Sequence, residues 1–254
     1  MSRRGVVVGT AVVLLAGAGA SAGAAGADRA AGPVVGQAVV NQGRDVVVGT
    51  TQDVTFPVTV TGSGDPALTF VDVDLKGPNG GFYTTDAFCE SATACTTTFT
   101  VDAHLRPGGD DPVDLSNAQA GTWSVDALAD TADGTSVFAR DLGSFSLKRA
   151  ARLTVNASPE PATEGSRFIV TGRLERADWD TYRYRGYAGQ MVKLQFRPKD
   201  SSTYATVATA RTSSTGALHI MARATEDGYW RWHFAGTATT GAAKATGDYV
   251  DVRP

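Results

Sequence analysis

Cysteine is scarce in this chain, with two among 254 residues. That excludes a disulfide-dense scaffold, and His104, His219 and His233 are too scattered to join Cys89 and Cys95 in a zinc-finger spacing. Charge is also sparse. Charged residues are 19% of the chain and the net charge is −3, too little of one sign to drive nonspecific nucleic-acid binding. Past residue 27 there is no G-x-S-x-G elbow, no H-E-x-x-H, no phosphate-binding loop and no G-x-G-x-x-G after a strand. The three histidines read as solvated side chains, and the chain is expected not to be an enzyme. No helical period is sustained past the N-terminal segment.

That segment has its own order. Arg3 and Arg4 precede an apolar run from Gly5 to Ala18, and Ala20-Ser21-Ala22 and Ala25-Gly26-Ala27 follow as A-x-A sites. This is the arrangement of a secretory signal peptide, expected over residues 1–27. Ser2-Arg3-Arg4 only loosely matches a twin-arginine signal. The run is short and rich in Gly and Ala for a membrane span, and no cysteine follows it to take a lipid. Residues 247–254 hold neither an apolar tail nor a sorting motif. The expectation is a secreted, extracellular protein with no stable membrane anchor after cleavage. In that oxidising setting Cys89 and Cys95, with five residues between them and strand-like runs on either side, read as a local structural disulfide.

What remains is alternation. Val54, Phe56, Val58 and Val60 alternate with threonines, and Val71, Val73 and Leu75 with Asp72, Asp74 and Lys76. Trp123, Val125 and Ala127 follow, then Val192, Leu194 and Phe196, then Leu218 and Ile220. Last come Trp230, Trp232 and Phe234 against Tyr229, Arg231 and His233. A period of two bounded by Gly, Pro, Asn and Asp turns defines strands, and strands at about ten-residue spacing define antiparallel sandwiches. The reading is all-β: two tandem immunoglobulin-like antiparallel β-sandwiches after a signal peptide. A disordered lead-in is expected over 28–38, one sandwich over 39–149 and another over 150–254, with a limited hinge near Lys148–Ala151. The halves differ in charge. Residues 28–149 hold 16 acidic and 7 basic side chains, net −9, and residues 150–254 hold 10 acidic and 14 basic, net +4.

Several phrases carry a resemblance. Asp45-Val-Val-Val-Gly-Thr50, Val54-Thr-Phe-Pro-Val-Thr-Val60 and Ala120-Gly-Thr-Trp-Ser124 lie in the first half. Leu153-Thr-Val-Asn-Ala-Ser-Pro-Glu-Pro161, Gly189-Gln-Met-Val-Lys-Leu-Gln-Phe196, Asp227-Gly-Tyr-Trp-Arg231 and Gly247-Asp-Tyr-Val-Asp251 lie in the second. Together they resemble a secreted family of Streptomyces-type actinobacteria with tandem Ig-like sandwiches, many labelled calcium-binding. The resemblance implies fold and export, and carries over no ligand-binding residue.

Two kinds of site are expected. Calcium takes six to eight oxygen ligands, and Asp110, Asp111 and Asp114 share a Gly-rich loop while Asp130 and Asp133 lie at a hairpin. Asp-Gly and Asp-Pro are also ordinary turn chemistry, so no cofactor or calcium alone is the expectation. The stronger candidate is Glu175–Ala188, read as an unusually long connection bearing Trp179, Tyr182, Arg183, Tyr184, Arg185 and Tyr187. Aromatic faces and guanidinium forks suit an extracellular glycan, a wall polymer or a protein partner, while the plainer alternative has these rings capping a core. The functional expectation is a secreted, non-enzymatic binding or surface-interaction protein. The alternatives are a calcium-stabilised structural protein and a carboxylate-based hydrolase.

Overall fold

The computed structural model describes residues 32–91, 93–101 and 115–254. Its first half contains β1 (Val34–Val40), β2 (Val46–Val48), β3 (Val54–Ser63), β4 (Leu68–Lys76), β5 (Phe82–Phe88), β6 (Ala94–Val101), β7 (Gly121–Thr131) and β8 (Ser136–Arg149). The second half opens with β9 (Ala151–Leu153), β10 (Asn156–Ser158), β11 (Ala162–Thr163), β12 (Arg167–Asp178), β13 (Arg183–Gly186) and β14 (Met191–Pro198). It closes with β15 (Ala205–Arg211), β16 (Ala217–Arg223), β17 (Gly228–Phe234), β18 (Ala243–Lys244), β19 (Asp248–Val250) and β20 (Val252–Arg253). The all-β reading stands. Among the described residues no helix is long and apolar enough to cross a membrane.

Each half uses the same opening move. In the first, β1 pairs antiparallel with β3, and after a turn β2 pairs parallel with β8 in the other sheet. The turn is made by Asn41, Gln42 and Gly43, all at positive φ, which redirects the chain between sheets. In the second half β10 pairs antiparallel with β12, and beyond Pro159 and Pro161 the short β11 runs parallel to β20. Proline has no N–H to give a ladder, so it suits the point where a strand leaves one partner for another. The principal sheets are β1-β3-β6 and β2-β8-β7-β4-β5 in the first half. In the second, β9, β10, β13 and β16 gather on β12, and β15-β14-β17 continues into β18 and β19.

Alternation places the cores. The first is built on Val46, Val48, Phe56, Val58, Val73, Leu75 and Trp123, all buried. Trp123 donates its indole N–H to the Gln119 carbonyl at 2.9 Å, and a Cβ on Gly77 would fall 2.2 Å from its ring, so only glycine fits there. The second core holds Phe168, Leu174, Leu194, Trp230, Trp232 and Phe234. Residues 34–38 of the expected lead-in instead open β1, because Val35 and Ala38 bury against the first core.

The expected hinge is a hydrogen-bonded joint. The Ala150 N–H donates to the Val48 carbonyl at 2.8 Å, and the Ala150 carbonyl accepts from the Ala177 N–H at 2.8 Å. Arg149, buried, donates its N–H to the Thr239 carbonyl and accepts from Gly241. Ala31–Pro254 is accordingly one compact unit with two cores.

Cys89 and Cys95 form the disulfide, and Cys95 packs into the first core. Because the bridge closes a short loop, Cys89→Ser with Cys95→Ala should cost about 2 kcal/mol on the chain-entropy account. Denaturant unfolding checks this, and an unchanged midpoint would contradict it.

Candidate functional site

The stretch Glu175–Ala188 is a hairpin that overhangs its own half. Glu175, Arg176, Ala177 and Asp178 pair with Gly186, Arg185, Tyr184 and Arg183, extending β12 and β13. Alternation along β12 then sends Ala177 and Trp179 inward, and the interior they meet is the first core. Trp179 is fully buried at 0% exposure, and its indole N–H is shared between the carbonyls of Gly49 at 3.1 Å and Val48 at 3.3 Å. Trp179 is therefore corrected as a ligand contact, since its ring has no face left for an outside ligand; it follows the capping alternative, in the first core and not that of its own half.

Asn117 of the first half closes the other side of this clasp. Its Oδ1 accepts from the Trp179 backbone N–H at 3.0 Å, and its Nδ2 donates to Asp178 at 2.8 Å and to Asp180 at 2.5 Å. The Asn117 backbone N–H adds a bond to Asp180 Oδ1 at 2.9 Å. A short 3-10 turn over Asn117–Gln119, with reciprocal Ser116 and Gln119 capping bonds, presents Asn117. Burial pushes the Asp178 carboxyl upward, but hydrogen bonds from Asn117, Thr181 and Arg185 and the Arg185 charge outweigh it and hold the group below the usual carboxylate range.

The other hairpin residues scatter around the clasp. Tyr184 is half-buried against the first core, with the Arg152 guanidinium 3.6 Å above its ring. Tyr187 lies under Arg176 at 4.0 Å and meets Phe234 edge-on. Arg185 pairs with Asp178 at 2.8 Å, Arg183 is exposed, and Tyr182 turns the hairpin at positive φ. A polar cleft of about 330 Å³ opens beside Tyr184, lined by Thr50, Gln52, Asp53 and Arg152.

Asp110, Asp111 and Asp114, and with them His104, lie outside the described residues. Asp130 and Asp133 are occupied by turn chemistry: Asp130 accepts from the Ser136 hydroxyl at 2.6 Å, and Asp133 from the Thr131 hydroxyl and the Thr135 N–H. Among the described residues no cluster of three or more His, Cys, Asp or Glu side chains is placed to hold a metal.

One surface was missed in the sequence. On the outer face of β8-β7-β4-β5, register places Phe88 beside Phe70 and Leu128 beside Phe138. Phe88 is 80% exposed, Phe138 49% and Leu128 40%, and the Phe88 and Phe70 rings meet edge-on at 5.4 Å. Asp130 lies beside Phe70 and Asp72 beside Leu128 in the same rows, Asp86 and Asp74 follow on this face, and the Arg140 guanidinium stands 5.2 Å from the Phe138 ring. The available signal was that phenylalanine occupies the polar phase of β4, β5 and β8.

No family model and no curated protein matches the chain. Solved structures superpose on it loosely. A tetra-tandem repeat from the extending region of a large adhesion protein is 15% identical with a TM-score of 0.32, over 86% of this chain and 50% of that one. The D00-D0 domain of intimin is 11% identical with a TM-score of 0.28, over 84% and 98%. A DUF4785 family protein of Legionella pneumophila is 12% identical with a TM-score of 0.39, over 86% and 56%. The chain thus spans half the length of the adhesion-protein repeat, and a likeness this loose assigns no function.

Emptying the Trp179 site should cost about 3–5 kcal/mol in Trp179→Ala, the range for a large buried aromatic. Urea unfolding followed by near-ultraviolet circular dichroism checks it, and a loss below about 1 kcal/mol would show the clasp to be incidental. The clasp should also be acid-sensitive. Since the folded Asp178 value is depressed, its contribution is complete above the unfolded value of about 4 and is lost as pH falls through the folded value. The stability gap between the wild type and Asp178→Asn should be constant near neutrality and close in acid. A gap that persists undiminished in acid would contradict this.

Proposed function

We propose that this is a secreted, non-enzymatic surface-interaction protein built of two tandem immunoglobulin-like sandwiches. The observation that carries the interaction reading is the stripe of Phe70, Phe88, Leu128 and Phe138 on the solvent face of a sheet. Single exposed apolar residues are commonplace, but two apolar pairs, Phe70 with Phe88 and Leu128 with Phe138, in adjacent rows of one sheet face among carboxylates support a protein-recognition surface. Phenylalanine there contributes nothing to the fold's interior, whose own phase of β4, β5 and β7 is filled by Val71, Val73, Ala87, Val125 and Ala127. The acidic rim fits a partner carrying cations around an apolar centre.

The extracellular part of the reading is supported by the disulfide, which persists in oxidising compartments, and by the signal-like order of residues 1–27. The repeated strand switch, β1 to β2 and β10 to β11, supports two sandwiches of one type. The clasp joins them so that the stripe is carried on a stiff body.

Purified protein added back to the cells that produce it should be retained at their surface. Phe88→Ser with Phe138→Ser should reduce the retained fraction several-fold and leave stability within about 0.5 kcal/mol, since both side chains point to solvent. Equal retention of the variant would remove the stripe from the account, and no retention of the wild type would overturn the reading itself.

A further inference from the structure

The outer face of the β15-β14-β17-β18 sheet has an unusual charge inventory. These four strands hold Lys193, Arg197, Arg211, Arg231, His233 and Lys244, and not one aspartate or glutamate. Alternation directs Leu194, Trp230, Trp232 and Phe234 into the second core, so Lys193, Gln195, Arg197, Arg231 and His233 face out. Register then sets them in rows. Thr209, Lys193, His233 and Lys244 lie side by side across the strands, and Thr206, Gln195 and Arg231 form the next row. Strand spacing puts Lys193 and Lys244 about 10 Å apart, with His233 between them.

The three arginines are already engaged, Arg211 by donating to the Gly189 carbonyl at 2.6 Å. Arg231 stacks 3.6 Å over Tyr204 and donates to Gln195 Oε1 at 2.9 Å. Arg197 stacks 3.8 Å over Tyr229 and donates to the Ser201 carbonyl at 2.7 Å. Lys193 and Lys244 are exposed, and no ion pair among the described residues includes either. His233 Nδ1 is buried without a hydrogen-bond partner. Burial, then the charges of Lys244, Arg231 and Lys193, hold His233 below the usual imidazole range. Like charges set opposite one another on a sheet cost stability, and a row left uncompensated is suited to an anion.

We propose that this face binds a linear acidic polysaccharide, with carboxylates on Lys193 and Lys244 and sugar hydroxyls on Thr206 and Thr209. The flat face admits an extended chain lying across the strands. The exposed Thr209 hydroxyl beside Lys193, and the exposed Thr206 hydroxyl one row on, offer partners to sugar hydroxyls, which an acidic polypeptide lacks, while Gln195 is buried and held by Arg231 and Thr206. Nucleic acid is disfavoured because Arg197 and Arg231 cover the tyrosine faces on which bases would stack. The choice of a polysaccharide rests on the extracellular reading, whereas the surface lies on strands that take no part in the aromatic stripe.

The test is binding of the purified protein, at low and high salt, to polygalacturonate, poly-glutamate and a single-stranded oligodeoxynucleotide. Polygalacturonate should bind tightest, weaken with salt, and lose at least about tenfold in affinity in Lys193→Glu/Lys244→Glu, a variant whose melt should be no lower than that of the wild type. In the wild type, saturation should move the His233 NMR titration to higher pH. Equal or tighter binding of either other polymer, undiminished binding by the variant, or a stationary His233 would overturn the proposal. Cell retention that persists in the Lys193→Glu/Lys244→Glu variant while polygalacturonate binding is lost would leave the stripe reading intact.

Discussion

The arrangement depends on one buried side chain. Trp179 belongs in sequence to the second half and in space to the first core, with its indole N–H on the Val48 and Gly49 carbonyls. Asn117 holds the surrounding backbone, and the Ala150 hydrogen bonds close the joint beside it. Together these replace what a short connection would otherwise be, a pivot between the two cores. A joint made from an inserted aromatic costs large apolar surface to open, unlike a polar interface held by exposed ion pairs.

Fixing the joint gives the surface chemistry a consequence. The first half presents apolar pairs among carboxylates, and the second a row of cations on β14, β17 and β18. Carried on a pivot, such faces would change their mutual geometry continually. Carried on a stiff body, they keep one set spacing, and two proposed ligands engaged at once would gain from effective concentration.

The strands were legible in the sequence because one half-buried face imposes a period of two, and Val54–Val60, Val71–Leu75 and Trp230–Phe234 show it without interruption. The Cys89–Cys95 pairing was legible because nothing else in the chain could take either thiol. Glu175–Ala188 was misread for a specific reason. Its arginines and tyrosines have the composition of an exposed loop, while the interior that receives Trp179 is supplied by residues about 130 positions earlier. The alternation of Ala177 and Trp179 with Arg176, Asp178 and Asp180 was present, but it does not say whose core is meant. Asn117 gave no local sign, since all its informative partners are more than 60 residues away. The aromatic stripe escaped because apolar residues were credited to the inner phase, and Phe70, Phe88 and Phe138 stand in the outer one.

The central claim is that two cores behave as one cooperative unit. Differential scanning calorimetry of the intact protein tests it most directly. One reversible transition is expected, with calorimetric and van't Hoff enthalpies in a ratio of about one. Two separable transitions, or a single broad one with a van't Hoff enthalpy near half the calorimetric value, would contradict it.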